Sequence, residues 1–244
     1  MGLFLKMETF VYRNLVVRLQ GKHTFDFVDG FYQQGQKVLD FGCGIGSNSK
    51  LFHSDDYTGV EVDESRVLSS RIKYPEKSFE KITFLSKKED KIPFQDSSFD
   101  LVFISLCIHH VDSKTCKLLF KEFSRVLNKN GKIIGIEPSL LPDKYFSNVF
   151  MNIVDAGDFI LPIKEYKNLY KSESYDIEDI NIVKTYGYHL WQYTAKPKRK
   201  KTSNYIRGMT NYRKIIKPFH LASLYGKWAL LVYLVYLITI LIIY

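Results

Sequence analysis

An α/β fold with a doubly wound, mostly parallel sheet is predicted by two features of the chain. Short apolar runs alternate with helix-compatible stretches up to about Pro138, and one of those runs leads straight into three glycines at alternate positions. Strands that alternate with helices need crossovers, and crossovers cover both faces of a parallel sheet. The strand candidates are Lys37–Phe41, Tyr57–Val62, Ile82–Leu85, Leu101–Ser105 and Lys132–Ile136. Helices fit Ser47–Leu51, Ser65–Lys73 and Thr115–Leu127, and Lys129-Asn130-Gly131 reads as a turn before the fifth strand. Two later runs, Asp179–Tyr186 and Tyr188–Lys196, have only Gly187 between them. They read as an antiparallel hairpin that completes a seven-stranded sheet.

The composition agrees with a packed interior. Of 244 residues, 45% are apolar and 25% charged, which excludes a disordered or fibrous chain. Three cysteines, Cys43, Cys107 and Cys116, are too few and too irregularly spaced for a disulfide scaffold or a CxxC site. Their number suits a reduced, intracellular protein. Net charge is +9, but residues 181–244 hold 11 Lys/Arg and no acid, leaving 24 basic and 26 acidic groups in 1–180. The positive charge is therefore local, and it directly precedes an apolar tail. That placement points to a membrane surface before a nucleic acid.

The first residues are not expected to be a secretory signal, because Lys6 and Glu8 break the apolar run. Lys6 also stands where a myristoylation site needs Ser or Thr. Phe4, Met7, Val11, Leu15 and Leu19 recur at helical spacing. They fit a helix packed on the body, or alternatively a pocket lid or membrane-surface helix. Residues 139–175 are rich in aromatics (Tyr145, Phe146, Phe150, Phe159, Tyr166) and prolines (Pro142, Pro162), and are too long for a plain connector. They are read as a helical cap insertion over the carboxyl ends of the strands, with an ordinary crossover as the alternative.

The strongest short signal is Val38-Leu39-Asp40-Phe41-Gly42-Cys43-Gly44-Ile45-Gly46, an apolar strand running into a glycine turn. Glycine permits the turn and a close approach of backbone to ligand. A helix opening near Ser47 would add its free N–H groups. The next strand ends at Gly59-Val60-Glu61-Val62-Asp63, which puts Glu61 about 20 residues beyond the turn, a spacing suited to a ribose ligand. Asp63 is the alternative acceptor, or the cap of the helix from Ser65.

With these motifs in order, the chain resembles the class I S-adenosylmethionine-dependent methyltransferases, in the small-molecule branch that includes quinone biosynthesis. The matching stretches are VLDFGCGIGSNSKLF (38–52), YTGVEVDES (57–65), IPFQDSSFDLVFISLCIHHV (92–111) and FKEFSRVLNKNGKIIGIEP (120–138). The resemblance implies a Rossmann-like methyltransferase domain over residues 1–196, with S-adenosylmethionine as cofactor. It implies that Asp40 faces the amino-acid part of the cofactor, directly or through water. Gly42 and Gly44 would approach the methionine part, and Gly46 would turn the chain into the next helix. Glu61 would hold the ribose, and backbone at Ser105 would face the amino group. Cys43 and Val62 lie inside the same motifs and are counted among the cofactor-binding residues. Where similar proteins carry an acid for the adenine amino group, this chain has Lys88, with Glu89 one place on.

Methyl transfer from a sulfonium depends mainly on holding donor and acceptor in line. A base is needed only for a protonated acceptor, and the candidates are His109, His110 and Glu137, all at strand ends. Tyr145 and Tyr166 could orient an acceptor. No metal is expected, since His110 and Asp112 have no third ligand at a convincing spacing. No (N/D)PPY-type motif supports nucleic-acid methylation, so the expected substrate is a small molecule or lipid. A non-catalytic, cofactor-binding scaffold that recruits partners at a membrane is the alternative.

Residues 197–220 read as a basic linker, part of the positive run that leaves the body at Lys196-Pro197-Lys198-Arg199-Lys200-Lys201. Trp228–Tyr244 is 17 residues without a charge. As a helix it would span roughly 25 Å, and Lys227 can snorkel at its edge. Residues 221–244 are therefore expected to form a C-terminal hydrophobic helix, a single-pass anchor. The basic flank would hold the body on the cytoplasmic side.

Overall fold

The structure is a computed structural model, and it describes residues 17–155, 157–185 and 188–198. The elements are α1 (Val17–Asp29), β1 (Val38–Phe41), β2 (Tyr57–Glu61), α2 (Glu64–Lys73), β3 (Ser78–Lys81), β4 (Phe99–Ser105), α3 (Ser113–Val126), β5 (Leu127–Leu140), α4 (Tyr145–Val154), β6 (Leu161–Pro162), α5 (Ile163–Ser172), β7 (Tyr175–Thr185) and β8 (Tyr188–Pro197). Sheet order is β3-β2-β1-β4-β5-β8-β7, with β6 paired to the end of β5. The first five strands run parallel, while β8 is antiparallel to both β5 and β7. This is the expected doubly wound sheet closed by a hairpin. The two-residue β6 makes eight strands where seven were expected.

Both faces of the sheet are covered, so its inner strands are continuously apolar. Leu39, Phe41, Val102, Ile104 and Ile133 point to one buried cluster, while Val38, Leu101, Phe103, Ile134 and Ile136 point to the other. On the first face α3 buries Cys116, Leu119, Phe120, Phe123 and Val126, a helical stripe, behind an Asp112 N-cap. Arg125 on α3 donates to the carbonyls of Ile92 and Phe94, which fixes the Ile92-Pro93-Phe94 segment against the helix. Gly135 of β5 lies opposite Tyr193 of β8, and a Cβ at Gly135 would overlap the Tyr193 ring. The missing side chain lets Tyr193 lie over the sheet, stacked on Trp191.

Four expectations are corrected. At Ser47–Leu51 there is only a short 3-10 turn, Ser49–Leu51, followed by another at Ser54–Asp56. Ser47, Asn48 and Ser49 are weak helix formers, and the turn does not propagate into a helix. The third strand is Ser78–Lys81, not Ile82–Leu85. Phe79 packs beneath Gly46 and Gly59, and the Arg71 guanidinium holds the Phe79 carbonyl, while Ile82 and Leu85 are buried after the strand has ended. Lys129-Asn130-Gly131 falls inside the irregular start of β5, opposite a register shift in β4. Segment 139–175 is not one cap. Its α5 buries Tyr166, Leu169 and Tyr170 against Trp191, Tyr193 and Phe120, as a crossover helix does. Only α4 exposes aromatics, at Tyr145 and Phe146.

Among the described residues no helix is long and apolar enough to cross a membrane. The expected helix over residues 4–19, apart from Val17–Leu19, lies outside the described residues. So do Gly187, the basic linker beyond Lys198 and the C-terminal hydrophobic helix at 221–244.

Candidate functional site

Parallel strands bring the carboxyl ends of β1, β2, β4 and β5 to one edge, where α/β sheets bind ligands. The 42–46 turn, Glu61–Asp63, the 105–110 segment and Glu137 all gather there. Gly42, Gly44 and Gly46 all have positive φ, at 74°, 55° and 74°. Each serves differently. A Cβ on Gly42 would overlap Cys107 Sγ, so this glycine admits Cys107 rather than a ligand. On Gly46 a Cβ would lie 2.7 Å from the Phe79 ring and 3.0 Å from Ser70 Cβ. That glycine packs β3 and α2 against the turn and opens no full helix. A Cβ on Gly44 would meet nothing within 4 Å, which leaves room for a ligand beside the turn. Gly44→Ala is therefore expected to fold, at a backbone cost of about 1–3 kcal/mol, and to weaken cofactor binding. Gly46→Ala should lower thermal stability further, because it adds a clash to the same strain. Thermal melts with and without S-adenosylmethionine check both.

Glu61 is buried at the tip of β2. Its Oε2 accepts from Gly44 N at 3.0 Å, and its Oε1 accepts from Val62 N at 2.8 Å and Asp63 N at 3.2 Å. A carboxylate has about four acceptor sites, so capacity remains for a ligand hydroxyl. Val62 beside it is 43% exposed, an apolar face at the rim. Asp63 caps α2, accepting from Ser65 N and Arg66 N. Cys43 N bonds to the Val60 carbonyl, which joins the turn to β2, and burial pushes the Cys43 thiol far up.

Asp40 is 1% exposed and accepts from Tyr57 Oη at 2.8 Å. Burial pushes its carboxyl up to about 7; the Tyr57 hydrogen bond opposes this and the Glu61 charge adds to it. A carboxyl raised in the folded state takes up a proton that the unfolded chain has released. The contribution of this group to stability is thus greatest below about pH 4 and is lost as pH rises towards 7. Asp40→Asn keeps an acceptor for Tyr57 and removes this burden. At pH 8 the variant should be more stable by at most about 4 kcal/mol, with the difference vanishing near pH 4. Its affinity for S-adenosylmethionine should fall at least about tenfold, as for a lost hydrogen bond to a charged group. Urea unfolding across pH and ligand titration check the two effects.

Ser105 ends β4, and Leu106 follows with φ of 54°, a conformation rare for leucine and typical of functional turns. Glu137 was read as facing the pocket, but it is fully buried beneath this turn. It accepts from Cys107 N at 2.9 Å, Ile108 N at 2.8 Å and His109 N at 3.4 Å, and lies 2.7 Å from His109 Nδ1. With these partners it is not a free base. His109, 1% exposed, also faces Asp155 Oδ1 through Nε2 at 3.3 Å. Burial pulls its imidazole down, but the hydrogen bonds to Asp155 and Glu137 outweigh that and raise it to about 9. With Glu137 on Nδ1 and Asp155 facing Nε2, His109 offers no free nitrogen to a proton from an acceptor. His110 is exposed, and burial of its ring together with the His109 charge lowers it, so it is neutral at pH 7.

Lys88 and Glu89 lie in an exposed turn organised by Asp90, whose Oδ2 accepts from Ser86 N and Lys87 N, both at 2.8 Å. Asp112 is an N-cap and Tyr166 is a core residue bonded to the Pro138 carbonyl, so neither lines the site. Sequence reasoning missed Tyr57, Asp155 and Tyr188, which bonds Asp155. Tyr57 opens β2 opposite Val38, and its hydroxyl reaches on to Asp40, a contact visible only once β1 and β2 are aligned.

The parallel sheet, the glycine turn and the rim carboxylate resemble the fold of the class I methyltransferases, whose cofactor is S-adenosylmethionine. The residues present fit that group: an open glycine turn, a rim carboxylate with spare acceptor capacity, and a buried acid on the neighbouring strand. Residues 39–135 match the family described as a methyltransferase domain. A sterol 24-C-methyltransferase of Gibberella zeae is 35% identical over 116 residues, covering 46% of this chain and 30% of that protein. A demethylmenaquinone methyltransferase of Lactococcus lactis is 30% identical over 151 residues, covering 57% of this chain and 58% of that protein. The chain thus spans well under two thirds of these relatives. The YcgJ protein of Bacillus subtilis shares the fold at TM-score 0.58 and 15% identity, over 73% of this chain and 100% of that one. So does the geranyl diphosphate C-methyltransferase of Streptomyces coelicolor, at TM-score 0.54 and 16% identity, over 73% and 80%.

Proposed function

We propose that the chain is an S-adenosylmethionine-dependent methyltransferase that acts on a small, apolar or lipid-like acceptor at a membrane. The observation that carries the reading is the pairing of Gly44 and Glu61 across the β1–β2 edge, joined by a hydrogen bond of 3.0 Å beside open space. When bound, S-adenosylmethionine supplies a sulfonium methyl group open to in-line displacement. Glu61 accepts from the ribose hydroxyls, with the Val62 face beside it. Asp40 holds the positive charge of the amino-acid part, and backbone at Gly44 and Ser105 completes the cradle. Glu89 is the acid in the adenine-side turn. These contacts orient the donor, and alignment supplies most of the rate. Where the acceptor arrives protonated, neutral His110 takes the proton. His109 and Glu137 position the 107–110 backbone and remain outside proton transfer.

The apolar acceptor is supported by the aromatic rim of α4, where Tyr145 is 62% and Phe146 87% exposed. It also agrees with the named acceptors of two relatives, a sterol and a demethylated menaquinone. Membrane attachment is supported by the uncharged run Trp228–Tyr244 behind its basic flank. That run is too short of polar residues for an interfacial helix, and the basic residues favour a cytoplasmic body. The exposed Lys88 at the adenine-side position favours one other reading, a cofactor-binding scaffold without transferase activity.

Full-length protein in detergent, given methyl-tritiated cofactor and a total lipid extract, should transfer label into the organic phase. Cofactor binding without transfer to lipid or soluble extracts would favour the scaffold. Membranes bearing the full-length chain should retain it through carbonate washing, and removal of residues 221–244 should release it. Release of the full-length chain by carbonate would overturn the anchor.

A further inference from the structure

We propose that His109, His110 and Asp155 form a binding site for a divalent d-block cation of the zinc type, with Glu137 as the carboxylate behind His109. No metal was expected from sequence, because His110 had only Asp112 near it, and Asp112 is spent on its helix cap. The fold supplies another acid. Asp155 follows α4 and returns to the β4 end, so that one ligand atom from each of His109, His110 and Asp155 falls within 4.8 Å of the others.

The distances favour coordination. His109 Nε2 and Asp155 Oδ1 are 3.3 Å apart. A charge-assisted hydrogen bond would be shorter, about 2.7–2.9 Å. Two ligands each about 2.0–2.2 Å from a tetrahedral zinc lie roughly 3.3–3.5 Å apart. On its other nitrogen His109 meets Glu137 at 2.7 Å. This is the carboxylate–histidine arrangement that fixes the tautomer and aims a ligating imidazole. Asp155 is supported in turn: Gly157 N donates to Oδ1 at 2.6 Å and the Tyr188 hydroxyl bonds Oδ2. The His110 ring lies 4.1 Å from the His109 ring, tilted by 40°. A Cβ at Gly157 would overlap the His109 ring, so only glycine lets this loop close over the cluster.

His110 is exposed, which opens the cluster to solvent from one side. Three protein ligands leave a fourth tetrahedral position for water or for an acceptor oxygen. Two imidazoles and one carboxylate suit zinc, cobalt or nickel better than magnesium or calcium. The inference goes beyond methyl transfer, being a statement about cation binding alone. A bound cation would occupy the His110 lone pair and withdraw it from proton transfer.

Cobalt(II) titrated into metal-free, full-length protein in detergent is the test. Wild type should take up one Co2+ per chain, with the visible bands of a tetrahedral site, and Zn2+ should displace it. His110→Ala alters an exposed side chain and should weaken Co2+ binding at least about tenfold, with an unchanged melting curve. Asp155→Asn should do the same if it folds. Absence of tetrahedral bands in folded wild type would overturn the proposal, as would equal Co2+ affinity in wild type and His110→Ala. The readout needs neither cofactor nor acceptor, so it stands or falls apart from the transferase reading.

Discussion

Glu137→Ala is expected to destabilise the protein by about 3–5 kcal/mol, the range for breaking a buried charge pair by removing one partner. The carboxylate is fully buried and is bonded to the backbone of Cys107 and Ile108 and to the His109 ring. The substitution leaves these donors in a site closed to water, and a buried group left without its partner bears its full desolvation penalty. The damage should concentrate at the carboxyl edge, since the amides of Cys107, Ile108 and His109 all donate to this one side chain. Urea unfolding of wild type and variant measures the size. Hydrogen exchange should show the largest loss of protection at Cys107, Ile108 and His109. Glu137→Gln should recover part of the stability, because its amide oxygen still accepts from the two backbone amides. An alanine variant as stable as wild type would show that Glu137 does not hold the turn.

Glu61→Ala should leave the fold standing and remove cofactor binding. Its three backbone partners lie at the rim, where water can replace the carboxylate, so the stability cost should be near 1 kcal/mol. Two hydrogen bonds from ribose hydroxyls to a charged acceptor, each about 1.5–3 kcal/mol, set the loss of affinity at about 100-fold or more. The loss should grow further because Gly44 would lose the acceptor that positions it. Thermal melts should therefore coincide without ligand and separate with it, since only a protein that binds gains stability from excess cofactor. A variant that melts early without ligand would place Glu61 in the fold instead of the site.

Much of this arrangement is legible in the sequence because it is local. Asp40, the glycines and Glu61 are set by two adjacent strands and the turn between them, and their spacing survives any detail of packing. The α3 helix follows from its helix-compatible stretch, and the β7–β8 hairpin from two runs with only Gly187 between them. Other parts depend on contacts between distant segments. Nothing near Asp155 in sequence marks it as a partner of His109, because the pairing forms only when α4 returns to the β4 end. Glu137 differs from expectation for the same reason: its place at a strand end suggests the pocket, whereas the 107–110 backbone curls back over it. Ile82–Leu85 outranks Phe79 as a strand in sequence because it is a short apolar run, yet the Gly46 and Gly59 gaps fit the Phe79 ring. In segment 139–175 the aromatics of α4 and α5 look alike, and only the sheet decides that Tyr166 is core and Phe146 is rim.

The central claim is that the β1–β2 edge binds S-adenosylmethionine and that the chain transfers its methyl group. Equilibrium dialysis of tritiated S-adenosylmethionine against full-length, folded protein tests the first half most directly, with Glu61→Ala alongside. One cofactor should bind per wild-type chain, with none measurable in the variant at the same concentrations. No binding by folded wild type, or equal binding by the two proteins, would contradict it.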